Sequence, residues 1–285
     1  MDTKSQRIVS PIDGAWSTTQ IMASLAKALV SDGPALGFGA VTSTEVEAKT
    51  AVLVTSTGST GANKEISLSA GALLASAKAS NKFLNANFGE TWSLLLPLTH
   101  IAAVNVLVRS LELGTIPVNL IGHDGEYPKV DYTAIVPTQL FNALNGDDRL
   151  LKHLQSAKAV LVGGAALTSE LHTQATNAGI SVVTTYGMSE TSGGCVYNGV
   201  PLEGVQVAIS DAGFIKVSGP VLASNLELDA QNWFVTSDRG ELVDGHLIVL
   251  GRGDDVIVSG GENISLFEIE NAISQSFANF EFAAF

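Results

Sequence analysis

Three segments of the sequence gather residue types that do chemistry on phosphates and carboxylates. The first, Val54–Lys64, reads VTSTGSTGANK and packs Ser56, Thr57, Ser59 and Thr60 with Gly58, Gly61 and Lys64 into one turn. Backbone N–H groups exposed by glycine, helped by hydroxyls and a lysine, can wrap phosphate oxygens. Asn63 stands where a Walker A loop requires glycine, and no GxGxxG fingerprint follows a strand. A flexible hairpin has the same composition. The second segment, Thr184–Thr191, reads TTYGMSET. It follows an apolar run and so sits at the carboxyl end of an expected strand, where open α/β sheets bind ligands. Ser189 resembles the serine of a nucleophile elbow, but Thr191 replaces the closing glycine of GxSxG. Glu190 beside hydroxyls suits Mg²⁺, and a polar surface turn is the plain alternative. The third segment, Trp233–Gly240, reads WFVTSDRG and precedes Asp244-Gly245 and the run Gly251–Asp255. Asp238 could accept two hydrogen bonds from a ribose diol, and Arg252 could reach the same sugar or a phosphate. Taken alone, this segment reads more simply as charged hairpin turns.

Other reactive residues are sparse. Cys195 is the single cysteine, so an intrachain disulfide framework and a cysteine zinc site are excluded. Nothing basic adjoins it, which favours a small packing residue over a nucleophile. The five histidines, at 100, 123, 153, 172 and 246, show no HExxH-like spacing. A metal, if used, is therefore expected to be a hard cation on oxygen ligands.

The elements that must position these groups follow from the apolar pattern. Residues 17–31 read as a helix, with Ser17 and Gln20 as a capping box. Short strands are expected at Ala51–Val54, Ile66–Leu68, Trp92–Leu96, Ile116–Leu120, Thr133–Val136, Ala159–Val162 and Ile180–Thr184. Helices are expected near 70–86, 101–113 and 168–178, and after Pro137 at a first helical position. This alternation implies an α/β fold with largely parallel sheets. After about residue 200 the pattern becomes short strands between Gly, Asp and Asn turns, as in a small antiparallel barrel or sheet. A helix at Leu266–Ser274 and a strand-like end at Phe280–Phe285 close the chain.

Composition bounds the function. The 285 residues carry 15 Lys+Arg against 28 Asp+Glu, a net charge of −13, with no basic cluster. That argues against nucleic acid or an anionic membrane surface as the main partner. With 46% hydrophobic and 15% charged residues, the chain should bury a sizeable core. The N-terminus lacks a signal-peptide core, and Leu94–Val108 is too short and too polar to span a bilayer. A cytoplasmic protein is the default expectation.

Together the segments resemble the acyl-adenylate-forming superfamily of acyl- and aryl-CoA synthetases, luciferases and peptide-synthetase adenylation domains. STGSTGANK resembles that family's phosphate loop, LPLTH at Leu96–His100 its substrate loop, and Gly163-Gly164-Ala165 its adenine-side turn. TYGMSET resembles its YGxTE motif, FVTSD its TGD motif, and Gly251–Ile264 its hinge and the start of its C-terminal domain. The resemblance implies an N-terminal domain over 1–250, α/β to about 200 and β-rich after it. It also implies a hinge at 251–254 around Asp254 and an incomplete C-terminal domain at 255–285.

The resemblance further implies roles. Ser56, Thr57, Gly58, Ser59, Thr60, Gly61 and Lys64 would hold the β- and γ-phosphates of ATP. Ser189 would meet the α-phosphate and Glu190 the Mg²⁺. Asp238 and Arg252 would hold the ribose. Thr185 and Tyr186 would flank the adenine on one side and Gly164 and Ala165 on the other, with Gly187 among the nucleotide-binding residues. Lys64, His100, Ser189 and Glu190 form the implied catalytic set. Three departures stand out: Asn63 replaces the loop proline, Ser189 a threonine, and Ser237 the glycine of TGD.

The trimmed N-terminus, LPLTHIAAVNVLVRSLELG and DYTAIVPTQLFNAL look most like the o-succinylbenzoate–CoA ligases of menaquinone biosynthesis. The implied substrates are o-succinylbenzoate, ATP and CoA, with His100, Arg109, Gly163, Gly187 and Met188 on the acid's side. Arg109 is the candidate cation for a second carboxylate; a structural salt bridge or a solvent-facing arginine are its alternatives. A different acyl- or aryl-CoA ligase, or an inactive nucleotide binder, are the rival readings. The last arises because the family's C-terminal lysine has no match here, and residues 255–285 are expected to be only the opening of a longer domain.

Overall fold

The computed structural model describes residues 6–57, 63–253, 256–259 and 262–265. Two mixed sheets enclose a layer of helices, and a third, antiparallel sheet follows. The first sheet contains β1 (Gln6–Pro11), β2 (Ala35–Phe38), β3 (Glu45–Glu47), β4 (Thr50–Thr57) and β5 (Asn63–Ser69), in the order β3-β1-β2-β4-β5. Its centre, β1-β2-β4, is parallel, and its two edges are antiparallel.

The second sheet has seven strands: β6 (Trp92–Leu94), β7 (Val118–Asn119), β8 (Tyr132–Ile135), β9 (Ala159–Val162), β10 (Val182–Met188), β11 (Gly193–Tyr197) and β12 (Val200–Pro201). Their order is β12-β11-β10-β9-β8-β6-β7. Strands β7, β6, β8, β9 and β10 are parallel; β11 and β12 return antiparallel. The third sheet is an antiparallel meander of β13 (Gln206–Ile209), β14 (Phe214–Ser218), β15 (Phe234–Val243) and β16 (His246–Arg252). A final pair, β17 (Val256–Ser259) and β18 (Glu262–Ser265), is antiparallel.

Alternation along the strands of the second sheet builds two cores. Leu161, Ala134 and Trp92 face α1 (Thr18–Leu29), α2 (Ala70–Phe83) and α3 (Ile101–Glu112), which fill the space toward the first sheet. Val160, Val162 and Ile135 face the other way, onto α4 (Pro137–Leu144), α5 (Asp148–Ser156) and α6 (Ser169–Asn177). Helix α2 is rich in Ala and Ser, which lets the Val- and Leu-bearing face of α3 pack closely against it. Leu73, Val104, Leu107 and Val108 are fully enclosed there, each contributing roughly 1.5–3 kcal/mol through burial.

The expected caps form. Ser17 accepts from Gln20 N at 3.3 Å while the Gln20 side chain accepts from Ser17 N at 2.8 Å. Ser69, Asp147 and Thr168, which the sequence reading did not single out, cap α2, α5 and α6 by accepting from one backbone N–H each. Pro137 opens α4, with Gln139 accepting from Val136 N at 3.1 Å.

The structure differs from the sequence reading in several places. TYGM is not a loop after a strand ending at Thr184; it is the second half of β10. Where β9 ends, β11 takes over as partner: Thr184 pairs with Val162, and Thr185 pairs with Tyr197. The short strand expected at Trp233–Val235 runs on: Phe234–Val243 is β15, held on both sides by β14 and β16, so Asp238 and Arg239 lie in a strand and not in a hairpin turn. The turn is Asp244-Gly245, with φ of +50° and +79°, as a two-residue hairpin of right-handed twist requires. Strands β1, β2 and β11 and helix α5 had no expectation from the sequence. The expected helix at 266–274 and the strand at 280–285 lie outside the described residues. No helix among the described residues is long and apolar enough to cross a membrane.

Candidate functional site

The phosphate-loop segment is an antiparallel hairpin, with Thr50 opposite Ser69 and Ser56 opposite Lys64. The tip carrying Gly58, Ser59, Thr60 and Gly61, and the hinge residue Asp254, lie outside the described residues, as does the Thr57 side chain. Lys64 projects from the second strand, its Nζ 3.9 Å from Glu190 Oε1. The hairpin base packs on Gly39, which adopts φ +86°: a Cβ there would fall 2.2 Å from Thr55 Oγ1 and 3.4 Å from Thr99 O. The LPLTH loop thus runs beside the hairpin, and its exposed His100 is the N-cap residue of α3.

Glu190 belongs to a single 3₁₀ turn, Ser189–Thr191, that ends β10. Its side chain is only 16% exposed, and Lys64 is the one partner of its carboxylate among the described residues. A hard anionic oxygen so placed, beside Ser189, suits a Mg²⁺ ion that takes its remaining ligands from phosphate and water. No cluster of three or more His, Cys, Asp or Glu side chains able to cage a metal occurs among the described residues.

The turn is pinned from three sides. Ala223 N donates to Glu190 O at 2.8 Å. The next residue, Ser192, adopts a left-handed φ of +53° and donates through Oγ to Val221 O at 2.7 Å. Its carbonyl accepts from Asn105 Nδ2 at 2.9 Å and Ser76 Oγ at 3.2 Å. Thr191 Oγ1 accepts from Met188 N at 2.9 Å.

The same strand positions the rest of the set. Tyr186 donates through its phenol to Asp238 Oδ2 at 2.9 Å. Burial, and next the charge of Asp238, push the Tyr186 phenol above its usual range, so it stays a donor. Asp238 on β15 lies opposite Arg252 on β16, at the exposed end of the meander. On the other flank, Thr185 donates to Val162 O at 3.3 Å, and a Cβ on Gly163 would fall 2.1 Å from Thr185 Oγ1. The Gly163-Gly164-Ala165 turn therefore lies directly against Thr185, with Gly164 at φ +84°. Gly187 is fixed by packing: a Cβ there would lie 2.1 Å from Gly193 O.

The β-rich sheet is tied to the hairpin by the connection between β14 and β15. Ser224 N donates to Ser67 O at 2.9 Å, Asn225 Nδ2 donates to Glu65 O at 2.9 Å, and Asn225 Oδ1 accepts from Ser67 N at 3.0 Å.

Arg109 is neither solvent-facing nor in a salt bridge. It is 3% exposed, donates to Tyr197 Oη at 2.8 Å and stacks 5.1 Å from the Trp92 ring. Its Nε has no hydrogen-bond partner, and no carboxylate pairs with it among the described residues. Cys195 is fully buried, and burial pushes its thiol up to about 11, as befits a packing residue. Sequence reasoning missed Asn105, Ser76, Ser192 and Asn225, because their partners are remote in the chain. A groove of about 760 Å³ opens beside α6, lined by His172, Thr176, Ser181, Val182, Thr184 and Asn198. It contains none of the Lys64, Glu190 and Asp238 set.

Comparisons with known proteins bear on the family and the fold. A probable 2-succinylbenzoate–CoA ligase of Mycobacterium tuberculosis is 38% identical over 251 residues, covering 80% of this chain and 65% of its own length. The 2-succinylbenzoate–CoA ligase of Escherichia coli K12 is 30% identical over 238 residues, covering 76% of this chain and 51% of its own. The chain thus spans about half to two thirds of the length of these curated relatives. The o-succinylbenzoate coenzyme A synthetase of Bacillus subtilis, solved with ATP and a magnesium ion, shares the fold. Its TM-score is 0.69 at 24% identity, over 92% of this chain and 68% of that one. The model of the family described as AMP-binding enzyme matches residues 4–228, most of the chain, and the chain belongs to that family.

Proposed function

We propose that this protein takes part in ATP-dependent activation of a carboxylic acid, o-succinylbenzoate, and its transfer to CoA in menaquinone biosynthesis, in the cytoplasm. The observation that carries the reading is the convergence on β10. Lys64 meets Glu190 at one end of the TYGMSE run, and Tyr186 holds Asp238 near the other. Phosphate, metal and ribose groups of one nucleotide fit that line. The relatives' names supply the acid and the thiol.

The chemistry needs no protein nucleophile. A carboxylate oxygen attacks the α-phosphorus of ATP; the bond from that phosphorus to the bridging oxygen breaks, and pyrophosphate leaves. The CoA sulfur then attacks the acyl carbon, the bond to AMP breaks, and the thiol proton passes to solvent. The protein's part is positioning and charge stabilisation. In this reading Lys64 and the hairpin hydroxyls hold the β- and γ-phosphates, and Ser189 donates to the α-phosphate. Asp238 accepts from the ribose while Tyr186 keeps its carboxylate aimed. Mg²⁺, when bound at Glu190, neutralises charge on the phosphates. Thr185 and Tyr186 face the adenine on one side and Gly164 and Ala165 on the other. His100, Gly163, Gly187 and Met188 line the acid's side. Arg109 is the cation for the second carboxylate, since a buried guanidinium with only neutral partners gains most from an incoming anion. Residues 1–250 form the domain that binds the nucleotide, with the hinge at Asp254.

Release of AMP, measured with ATP, CoA and a panel of acids, tests the reading. Stimulation by o-succinylbenzoate above fatty and simple aryl acids is expected. Preference for another acid changes the substrate; failure to bind ATP at all removes the function.

A further inference from the structure

We propose that Asn105 is a positioning residue that sets the Glu190 turn against helix α3, so that the acid side and the metal side of the site are built as one unit. The inference rests on the nucleotide reading of the site. Asn105 is 3% exposed and lies five residues after His100, on the helix that the substrate loop opens. Its amide donates to Ser192 O at 2.9 Å, two residues beyond Glu190. Ser192 is held in the left-handed region, a conformation that a serine adopts only when its surroundings impose it. Gly193 is shaped to the same peg: a Cβ there would fall 1.8 Å from Asn105 Nδ2. A second donor, Ser76 Oγ on α2, reaches the same carbonyl at 3.2 Å. Two helices therefore converge on one backbone oxygen, and that oxygen fixes where the Glu190 carboxylate points.

The geometry assigns a different consequence to this contact than to an ordinary buried hydrogen bond. Loss of the amide frees the turn that carries the metal ligand but leaves the phosphate hairpin and the Tyr186–Asp238 pair in place. Metal-assisted nucleotide binding should suffer, and metal-independent binding should not.

The test is the ratio of ATP affinity with Mg²⁺ to ATP affinity with EDTA, by calorimetry on the full chain, for wild type, Asn105→Ala, Ser76→Ala and the double variant. Melting temperatures are taken in parallel. The ratio should fall about tenfold in Asn105→Ala, in line with one lost hydrogen bond to a buried carbonyl, and by less in Ser76→Ala. The double variant should lose more than the sum, because only then is the carbonyl left without a donor. Ser93→Ala is the control: Ser93 is buried and bonded to Thr133 at 2.7 Å, away from the turn. It should lower the melting temperature and leave the ratio unchanged. An unchanged ratio in Asn105→Ala overturns the proposal; if that variant does not fold, an unchanged ratio in Asn105→Ser, which keeps a polar side chain too short to reach Ser192 O, does. A wild-type chain whose ATP affinity ignores Mg²⁺ overturns the site reading itself, a separate outcome.

Discussion

Replacing Glu190 by glutamine separates metal binding from stability. Shape is kept and one charge is lost. In the folded protein that charge faces Lys64 at 3.9 Å. Coulomb's law puts the pair at about 1 kcal/mol in water and roughly 4 kcal/mol at an effective dielectric of 20. The Lys64 side chain is 56% exposed, so the realised value belongs with surface pairs, roughly 0.2–1 kcal/mol. For a chain of this size that shifts the melting temperature by no more than about 4 °C. The ligand effect is larger. Removing a charged oxygen from Mg²⁺ should cost about 1.5–3 kcal/mol, or roughly 10- to 100-fold in Mg²⁺-dependent ATP affinity. Pyrophosphate exchange, where charge develops on the transferring phosphate, should fall by about 100-fold or more. Calorimetry with and without Mg²⁺, thermal melts and the exchange assay together give the pattern. A variant that melts normally and still binds Mg·ATP and exchanges pyrophosphate at near wild-type levels would refute the metal assignment.

Three further outcomes are expected. Arg109→Met should raise KM for o-succinylbenzoate about 10- to 100-fold while changing KM for ATP little; equal changes would mark a purely structural arginine. Gly187→Ala should destabilise by roughly 2 kcal/mol or more, because the new Cβ meets backbone atoms of Gly193 and Gly194 that cannot rotate away; an unchanged melt would show that β10 and β11 are looser than described. His153 is buried between Ser93 and the Pro128 carbonyl, and burial lowers its pKa. The folded state therefore holds it neutral while the unfolded state takes up a proton near pH 6.5, so stability is full above about pH 6.5 and declines as pH falls below it. His153→Gln should flatten that limb of a pH–stability curve, and an unaltered slope would assign the effect elsewhere.

Local signals were legible in the sequence where one segment carries its own reason. Ser17 and Gln20 predict the start of α1 because both halves of the cap lie within four residues. Asp244-Gly245 predicts a turn because both residues accept positive φ. The parallel strands Ala159–Val162 and Thr133–Val136 show as apolar runs because both of their faces are covered. Elsewhere the pattern misleads. Gly193-Gly194 looks like a turn, yet it lies in β11, where glycine lets Asn105 and Thr185 approach. Helix α5 is only nine residues long, so its apolar stripe of Leu150, Leu151 and Leu154 is too short for the period to stand out. The site itself is spread along the chain: Tyr186 and Asp238 are 52 residues apart, and Asn105 and Ser192 are 87 apart. No periodicity announces such pairs. The family motifs single out Glu190 and Asp238 as candidates, but the atoms that hold them still are visible only in the fold.

The stitching of Asn225 onto the hairpin has a consequence for how the protein comes into being. The bond from Asn225 to Glu65 closes a loop of 160 residues. Closing it carries an entropic cost that no local contact offsets beforehand, so it belongs late in folding. On a ribosome the first sheet and α1 to α3 can collapse early, yet β5 waits for a segment made long afterwards. Until then the edge of that strand is open to wrong partners. A nucleotide bound by the finished site would favour the closed state by mass action. ATP in the refolding buffer should therefore speed or raise recovery of native protein at the last phase, and leave the first collapse untouched.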